Sequence, residues 1–269
     1  MDNRPLFSII IVTLNAEKEI AETLKSIENQ SVNDYEVIIK DGGSCDGTLD
    51  KIPTDEKYRV VKRQDKSVYD GMNQAIEYAR GNFIIFLNAG DGFYNSDVLD
   101  CTTKFILKNR YQDEACVIYG DYNRKHEYIQ NQPVVLKPFY LYRRPLCHQS
   151  IFYNRKLFEI YGKYDLHYKI SADHDFNMKL WTSKVPFYHT GVVICTYEGN
   201  GISESTVGWK KALEERNQIR VKYYSFADRL KYNTIITLSF SQIRAWLDSN
   251  KSPRAINKVY VSLRNRLFK

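Results

Sequence analysis

Three polar segments each follow directly on an apolar run and carry the residue types that bind ligands or move protons. They are Thr13-Leu14-Asn15, Asp41-Gly42-Gly43-Ser44 and Asn88-Ala89-Gly90-Asp91. One such segment is a turn, and Asp-Gly pairs favour turns on their own account. Three at successive strand ends form the floor of a site, because open α/β sheets bind ligands beyond the carboxyl ends of their strands. Two further clusters stand downstream. His148 and Gln149 open the run CHQSIFY, and Asp173 and Asp175 follow Ser171 in SADHDFNMKL. Taken singly, His148 reads as a core histidine, and Ser171 with the two acids reads as a helix N-cap with first-turn carboxylates. The chain has no G-x-G-x-x-G after its first apolar run and no G-x-x-x-x-G-K-[ST] anywhere, which excludes the dinucleotide and P-loop cradles. A diphosphate bound here needs another neutraliser, and a divalent cation on a carboxylate is the direct one.

The elements that must position these residues are legible as alternating periods. Strands are expected at Phe7–Val12, Tyr35–Lys40, Arg59–Lys62 and Phe83–Leu87, and helices at Ala16–Asn29 and Val68–Arg80, with Gly81 as the C-cap of the latter. Between them, Leu49–Ile52 reads as a turn or short helix. This alternation predicts βαβ units and a mainly parallel sheet flanked by helices. Later, strands are expected at Cys116–Tyr122, His148–Tyr153 and Val185–Tyr197, with helices at Asn154–Tyr161, Asp173–Thr182 and from Val207 onward. No Gly, Ser or Pro-rich linker divides the chain. The reading is one α/β domain over residues 1–205 and a helical, basic extension over 206–269.

Composition narrows the class. The 269 residues are 43% hydrophobic and 26% charged, which excludes disorder and fibres. The 21 Tyr fit either an aromatic core or a surface that handles hydroxylated ligands. The net charge of +7 sits wholly in residues 227–269, which hold nine Lys/Arg against Asp228 and Asp248. A neutral body with a basic tail speaks against a nucleic-acid binder and for docking on an anionic surface. Five cysteines without a C-x-x-C pair argue against a disulfide framework and a zinc site. LFSIIIV at residues 6–12 is too short for a signal peptide and no run spans a membrane, so a reduced, cytoplasmic protein is expected.

The ordered blocks FSIIIVTLNAEKEIAETLKSI, YEVIIKDGGSCDGT, GMNQAIEYARGNFIIFLNAGD, CHQSIFY and SADHDFNMKL resemble the family 2 glycosyltransferases over about residues 6–200. LNAGD with CHQS is similar to the exopolysaccharide, colanic-acid-type branch. The resemblance implies the GT-A fold and inverting transfer from a nucleotide-diphospho-sugar. It implies that Thr13, Asn15 and Asp41 line the nucleotide pocket and that Asp70, Gly71 and Asn73 meet the nucleotide-sugar. Asn88 to Asp91 take the place of the Asp-x-Asp metal motif, and Asp173 that of the general base. His148 and Gln149 face the donor diphosphate or the acceptor. Asn88 and Gly90 replace two carboxylates of the usual motif, so Asp91 alone is left for Mg²⁺ or Mn²⁺, which must bind chiefly through the donor.

The implied chemistry is a single displacement. Asp173 takes the acceptor hydroxyl's proton, the metal at Asp91 stabilises the leaving nucleoside diphosphate, and the anomeric centre inverts. UDP is the expected nucleotide and a lipid-linked saccharide the expected acceptor. Two other classes compete: a non-catalytic sugar-nucleotide or polysaccharide-binding subunit, and a nucleotidyltransferase of similar architecture. The second wants a Gly-rich Arg/Lys signature that TLNAEKE lacks. In Ser252–Lys269, Ile256, Val259, Tyr260, Leu263 and Leu267 recur at helical spacing, with Lys258, Arg264, Arg266 and Lys269 among them. That pattern predicts either a helix lying on an anionic membrane or one packed on protein.

Overall fold

The computed structural model describes residues 4–124, 127–199 and 206–238. The first apolar run forms β1 (Phe7–Thr13), buried along almost its whole length as a strand covered on both faces must be. Helix α1 (Glu17–Glu28) returns the chain, burying Ile20, Leu24 and Ile27 at helical spacing. Then come β2 (Tyr35–Asp41), a 3-10 turn (Leu49–Lys51) and β3 (Tyr58–Lys62). Helix α2 (Val68–Ile76) starts at Ser67, whose hydroxyl accepts from the Asp70 N–H, and leads to β4 (Phe83–Asn88). Next are β5 (Gly92–Phe93), α3 (Val98–Asn109), β6 (Val117–Arg124), β7 (Tyr128–Gln130) and α4 (Pro138–Arg143). A 3-10 turn (His148–Ser150) precedes β8 (Ile151–Asn154), α5 (Lys156–Tyr161), α6 (Ala172–Thr182) and β9 (Phe187–Tyr197). Helices α7 (Thr206–Tyr223) and α8 (Phe226–Leu238) close the described chain.

The strands make one sheet in the order β3-β2-β1-β4-β8-β6-β9-β5, with β7 on β6. Its first four strands are parallel, and β8 joins β4 antiparallel. Register sets Thr13 beside Asp41 and Val12 beside Asn88. All three polar segments therefore leave the sheet at one edge. On one face Ile9, Ile11, Val37, Ile39, Ile85 and Leu87 pack with Ile20, Leu24 and Ile27 of α1. On the other, Phe86 joins the rings of Tyr153, Phe158, Tyr164 and Phe176 at centroid distances of 4.9–6.5 Å. Much of the aromatic content is thus core.

Two expectations are corrected. Gly81 does not cap α2, which ends at Glu77. A Cβ at Gly81 would lie 2.5 Å from the Ser8 amide, so glycine is what lets this loop cross β1. His148 lies in a 3-10 turn instead of a strand. By its internal contacts the chain divides into the units Met1–Ile219 and Arg220–Lys269, the first of which includes most of α7. No described helix is long and apolar enough to cross a membrane.

Candidate active site

A cavity of about 890 Å³ opens at the polar edge of the sheet. Val12, Thr13 and Leu14 from the end of β1, Tyr69 and Met72 of α2, and Asn88 and Ala89 after β4 form one side. The segment from Pro145 to Gln149, the segment from Lys169 to Ser171, and Asp173 of α6 form the other, with Trp209 and Arg216 of α7.

Asp173, in the first turn of α6, stands in this wall and is 8% exposed. The Tyr69 hydroxyl lies 2.8 Å from its Oδ1 and 2.7 Å from the Ile170 carbonyl, so one proton serves two acceptors. Burial, and next the charge on Asp173, push the Tyr69 phenol well above its ordinary range, which keeps it a donor. Asp175, two residues on, is turned by about 200° around the helix and does not line the cavity. His148 bridges the two halves. Its Nδ1 is 3.7 Å from Asp173 Oδ2 and its Nε2 is 3.4 Å from the Asn88 amide nitrogen.

Asp91 is buried just behind. Its Oδ2 accepts from the Gln149 amide at 2.7 Å and the Asn88 amide at 3.2 Å, and its Oδ1 from the Glu198 N–H at 3.1 Å. Burial raises its carboxyl above the ordinary range against the opposing pull of these donors. Among the described residues no group of three or more His, Cys, Asp or Glu converges as a cation site. One carboxylate, one imidazole and two amide groups suit a hard cation that arrives with phosphate oxygens, and not one held by protein alone. The Thr13 hydroxyl is buried without a partner among the described residues, a group that a ligand would satisfy.

The remaining predicted residues shape the rim. Asn15, expected in the lining, instead adopts a left-handed φ of 51° and latches the ends of β1 and β2: its Oδ1 accepts from Cys45 N at 2.9 Å, and its N–H donates to Ser44 Oγ at 2.8 Å. Asp41, likewise expected there, is 1% exposed and accepts from the N–H groups of Gly43 and Ser44, both at 3.0 Å. Behind it the fully buried Lys40 ammonium pairs with Asp65 at 2.6 Å and donates to the carbonyls of Asp41 and Arg63. Asp70 accepts from the Lys66 N–H. A Cβ at Gly71 would come within 2.7 Å of Val12 Cγ1, so glycine sets how closely α2 approaches β1. Asn73 bonds both the N–H and the carbonyl of Tyr164, at 3.0 and 2.9 Å. Sequence reasoning missed Tyr69, Lys169, Trp209, Glu215 and Arg216. None of the five carries a local pattern that marks it.

A family model described as Glycosyl transferase family 2 matches residues 8–177. The chain is 31% identical over 263 residues to a PGL/p-HBAD biosynthesis glycosyltransferase of Mycobacterium tuberculosis, covering 96% of this chain and 94% of that one. It is 25% identical to the Bacillus subtilis glycosyltransferase EpsJ, over 82% of this chain and 70% of the relative. Among solved structures, Staphylococcus aureus TarS 1–349 in complex with UDP-GlcNAc aligns with a TM-score of 0.61 at 20% identity, over 81% of this chain and 71% of that one. The Pyrobaculum calidifontis mannosyltransferase PcManGT, in complex with GDP-Man and Mn²⁺, aligns at 0.60 and 16% identity, over 98% and 84%. These two GT-A neighbours share the fold.

Two outcomes are expected. In Tyr69→Phe, Asp173 loses the hydroxyl that holds its Oδ1, so kcat should fall about ten-fold while UDP affinity stays within a few-fold; an unchanged kcat would detach Tyr69 from the reaction. For Asp91, a carboxyl with a raised folded-state pKa costs stability once pH exceeds that pKa. Asp91→Asn should therefore melt at or above the wild-type temperature at pH 8, yet lose the gain in UDP affinity that Mn²⁺ confers. Calorimetry with and without Mn²⁺ reads both, and a retained gain would move the metal elsewhere.

Proposed function

The chain belongs to glycosyl transferase family 2, and from that premise we propose that it transfers a sugar, with inversion, from a UDP-linked donor to a hydroxyl of a lipid-linked saccharide in cell-surface polysaccharide synthesis. The observation that carries this reading is the Asp173 carboxylate in the cavity wall, oriented by the Tyr69 hydroxyl on one oxygen with His148 Nδ1 3.7 Å from the other. A carboxylate so placed is a proton acceptor within reach of a substrate hydroxyl.

In this mechanism the nucleoside lies against the strand ends, with Thr13 beside it. The acceptor hydroxyl approaches Asp173, which takes its proton as the oxygen attacks the anomeric carbon. The bond from that carbon to the diphosphate oxygen breaks, and its electron pair leaves with the nucleoside diphosphate. Attack from the face opposite the leaving group converts an α-linked donor into a β-linked product. Lys169, Arg216 and Arg124 line the cavity and offset the charge that develops on the diphosphate. Asp91, with Asn88 and His148 near it, would hold a divalent cation brought by the donor; when bound, such an ion supplies Lewis-acid neutralisation of the diphosphate. Holding both substrates in one cavity supplies much of the remaining rate.

The UDP-GlcNAc bound by the TarS structure supports a UDP-linked donor, and the PGL/p-HBAD relative and EpsJ support the cell-surface branch. The basic tail places the enzyme peripherally on the cytoplasmic face of the membrane in this reading. The stretch 252–269 lies outside the described residues, so its sequence pattern and charge alone support that step.

Asp173→Asn should keep UDP-sugar affinity within a few-fold and lower transfer by at least ~100-fold. Near-normal turnover would put the base elsewhere. For the tail, full-length protein should pellet with anionic liposomes at low salt and be released at high salt, and a chain ending at Asn250 should not pellet. Equal behaviour of the two chains would make the tail a packing element.

A further inference from the structure

Glu215 is a carboxylate on α7 that is 1% exposed, in a helix otherwise studded with solvent-facing Lys and Arg. It meets no lysine or arginine within ion-pair distance among the described residues. Instead it accepts three consecutive backbone N–H groups: Lys169 at 2.8 Å on Oε1, then Ile170 at 3.0 Å and Ser171 at 2.9 Å on Oε2. Successive amides converging on one anion form a nest, and each charge-assisted bond is stronger than a neutral one. These three residues are the lead-in to α6, and Ser171 is its N-cap residue, whose own side chain makes no cap bond. Asp173 follows two residues later. The same segment is fixed from the opposite side by Tyr69, which reaches both the Ile170 carbonyl and Asp173 Oδ1.

We propose that Glu215 is a positioning residue for the transfer reaction: from α7 it sets the 169–171 segment, and through it the place of the Asp173 carboxylate in the cavity. Glu215 itself touches only backbone; its neighbours on the same helix, Trp209 and Arg216, line the cavity. Helix α7 is in this view part of the active site, and the transferase extends past residue 205 into it. The proposal rests on the reading of Asp173 as the base.

The test compares Glu215→Gln and Glu215→Asp with wild type and Asp173→Asn, in full-length protein. The measurements are kcat, KM for donor and acceptor, UDP affinity by calorimetry, and melting temperature. Glutamine presents an amide N–H₂ to at least one of the three N–H donors, so the nest is broken while volume is kept. The expected result is a kcat lower by about 100-fold, the scale of a small misplacement of a reacting group. UDP affinity should stay within about three-fold, because the strand-end wall is untouched. The aspartate variant keeps the charge and should recover at least a tenth of wild-type kcat, which a merely structural role would not order this way if both variants melt alike. If Glu215→Gln turns over normally while Asp173→Asn is inactive, positioning by Glu215 is wrong and the base assignment stands. If Asp173→Asn is active, the base assignment fails first, and a kcat loss in Glu215→Gln then belongs to another group. Equal losses of UDP affinity and kcat in both Glu215 variants would also overturn the proposal, since they would mark general disruption.

Discussion

Three carboxylates are withdrawn from water around one cavity, and none of them is paired with a lysine or arginine among the described residues. Asp91 is held by two side-chain amides and a backbone N–H, Asp173 by a phenol, and Glu215 by three backbone N–H groups. A buried carboxylate needs donors or it takes up a proton. Neutral donors satisfy it without cancelling its charge. The arrangement of the second half of the chain follows from this need. Gln149 must reach Asp91, Tyr69 must cross to α6, and α7 must fold back onto the segment before α6.

The sheet makes the meeting possible. Its central strands are buried on both faces, so their polar groups can stand only at the ends, and the parallel register brings three such ends together. A one-residue slip of any strand would turn its whole apolar set to the wrong face, so packing enforces the register and the register places the site. The two rim latches tighten this edge. Asn15 ties the loops after β1 and β2, and Lys40 ties the end of β2 to that of β3 through Asp65 and two carbonyls. Lys40 is the exception that shows the rule: here a buried cation is paired, and its role is to fix backbone, not chemistry.

The aromatic residues divide between two tasks. The rings around Phe86 and Phe176 pack the face of the sheet that α6 covers, and Tyr69 stands at the border, its ring 5.4 Å from that of Tyr164 and its hydroxyl on Asp173. The same side chain is core on one side and site on the other. Tyr122, Tyr197 and Trp209 line the cavity, where flat rings suit sugar faces.

The family, the fold and the polar segments at the sheet's edge were legible in the sequence, because strand ends announce themselves locally: an apolar run stops and a polar segment begins. Most of the first seven elements were legible for the same reason, as periods of two and 3.6 over contiguous residues. Division of labour among the polar residues was not. Asn15, Asp41 and Asn73 carry ligand-binding residue types, yet their side chains hold backbone in loops, and only the folded geometry tells a latch from a contact. Glu215 and Tyr69 left no local signal, since their partners lie 44–46 and 101–104 residues away. A hydrogen bond formed by chain reversal has no period. The sequence determined which groups could do chemistry at the sheet's edge, while the tertiary structure decided which of them are desolvated and by what, because burial and long-range donors exist only once the chain has folded.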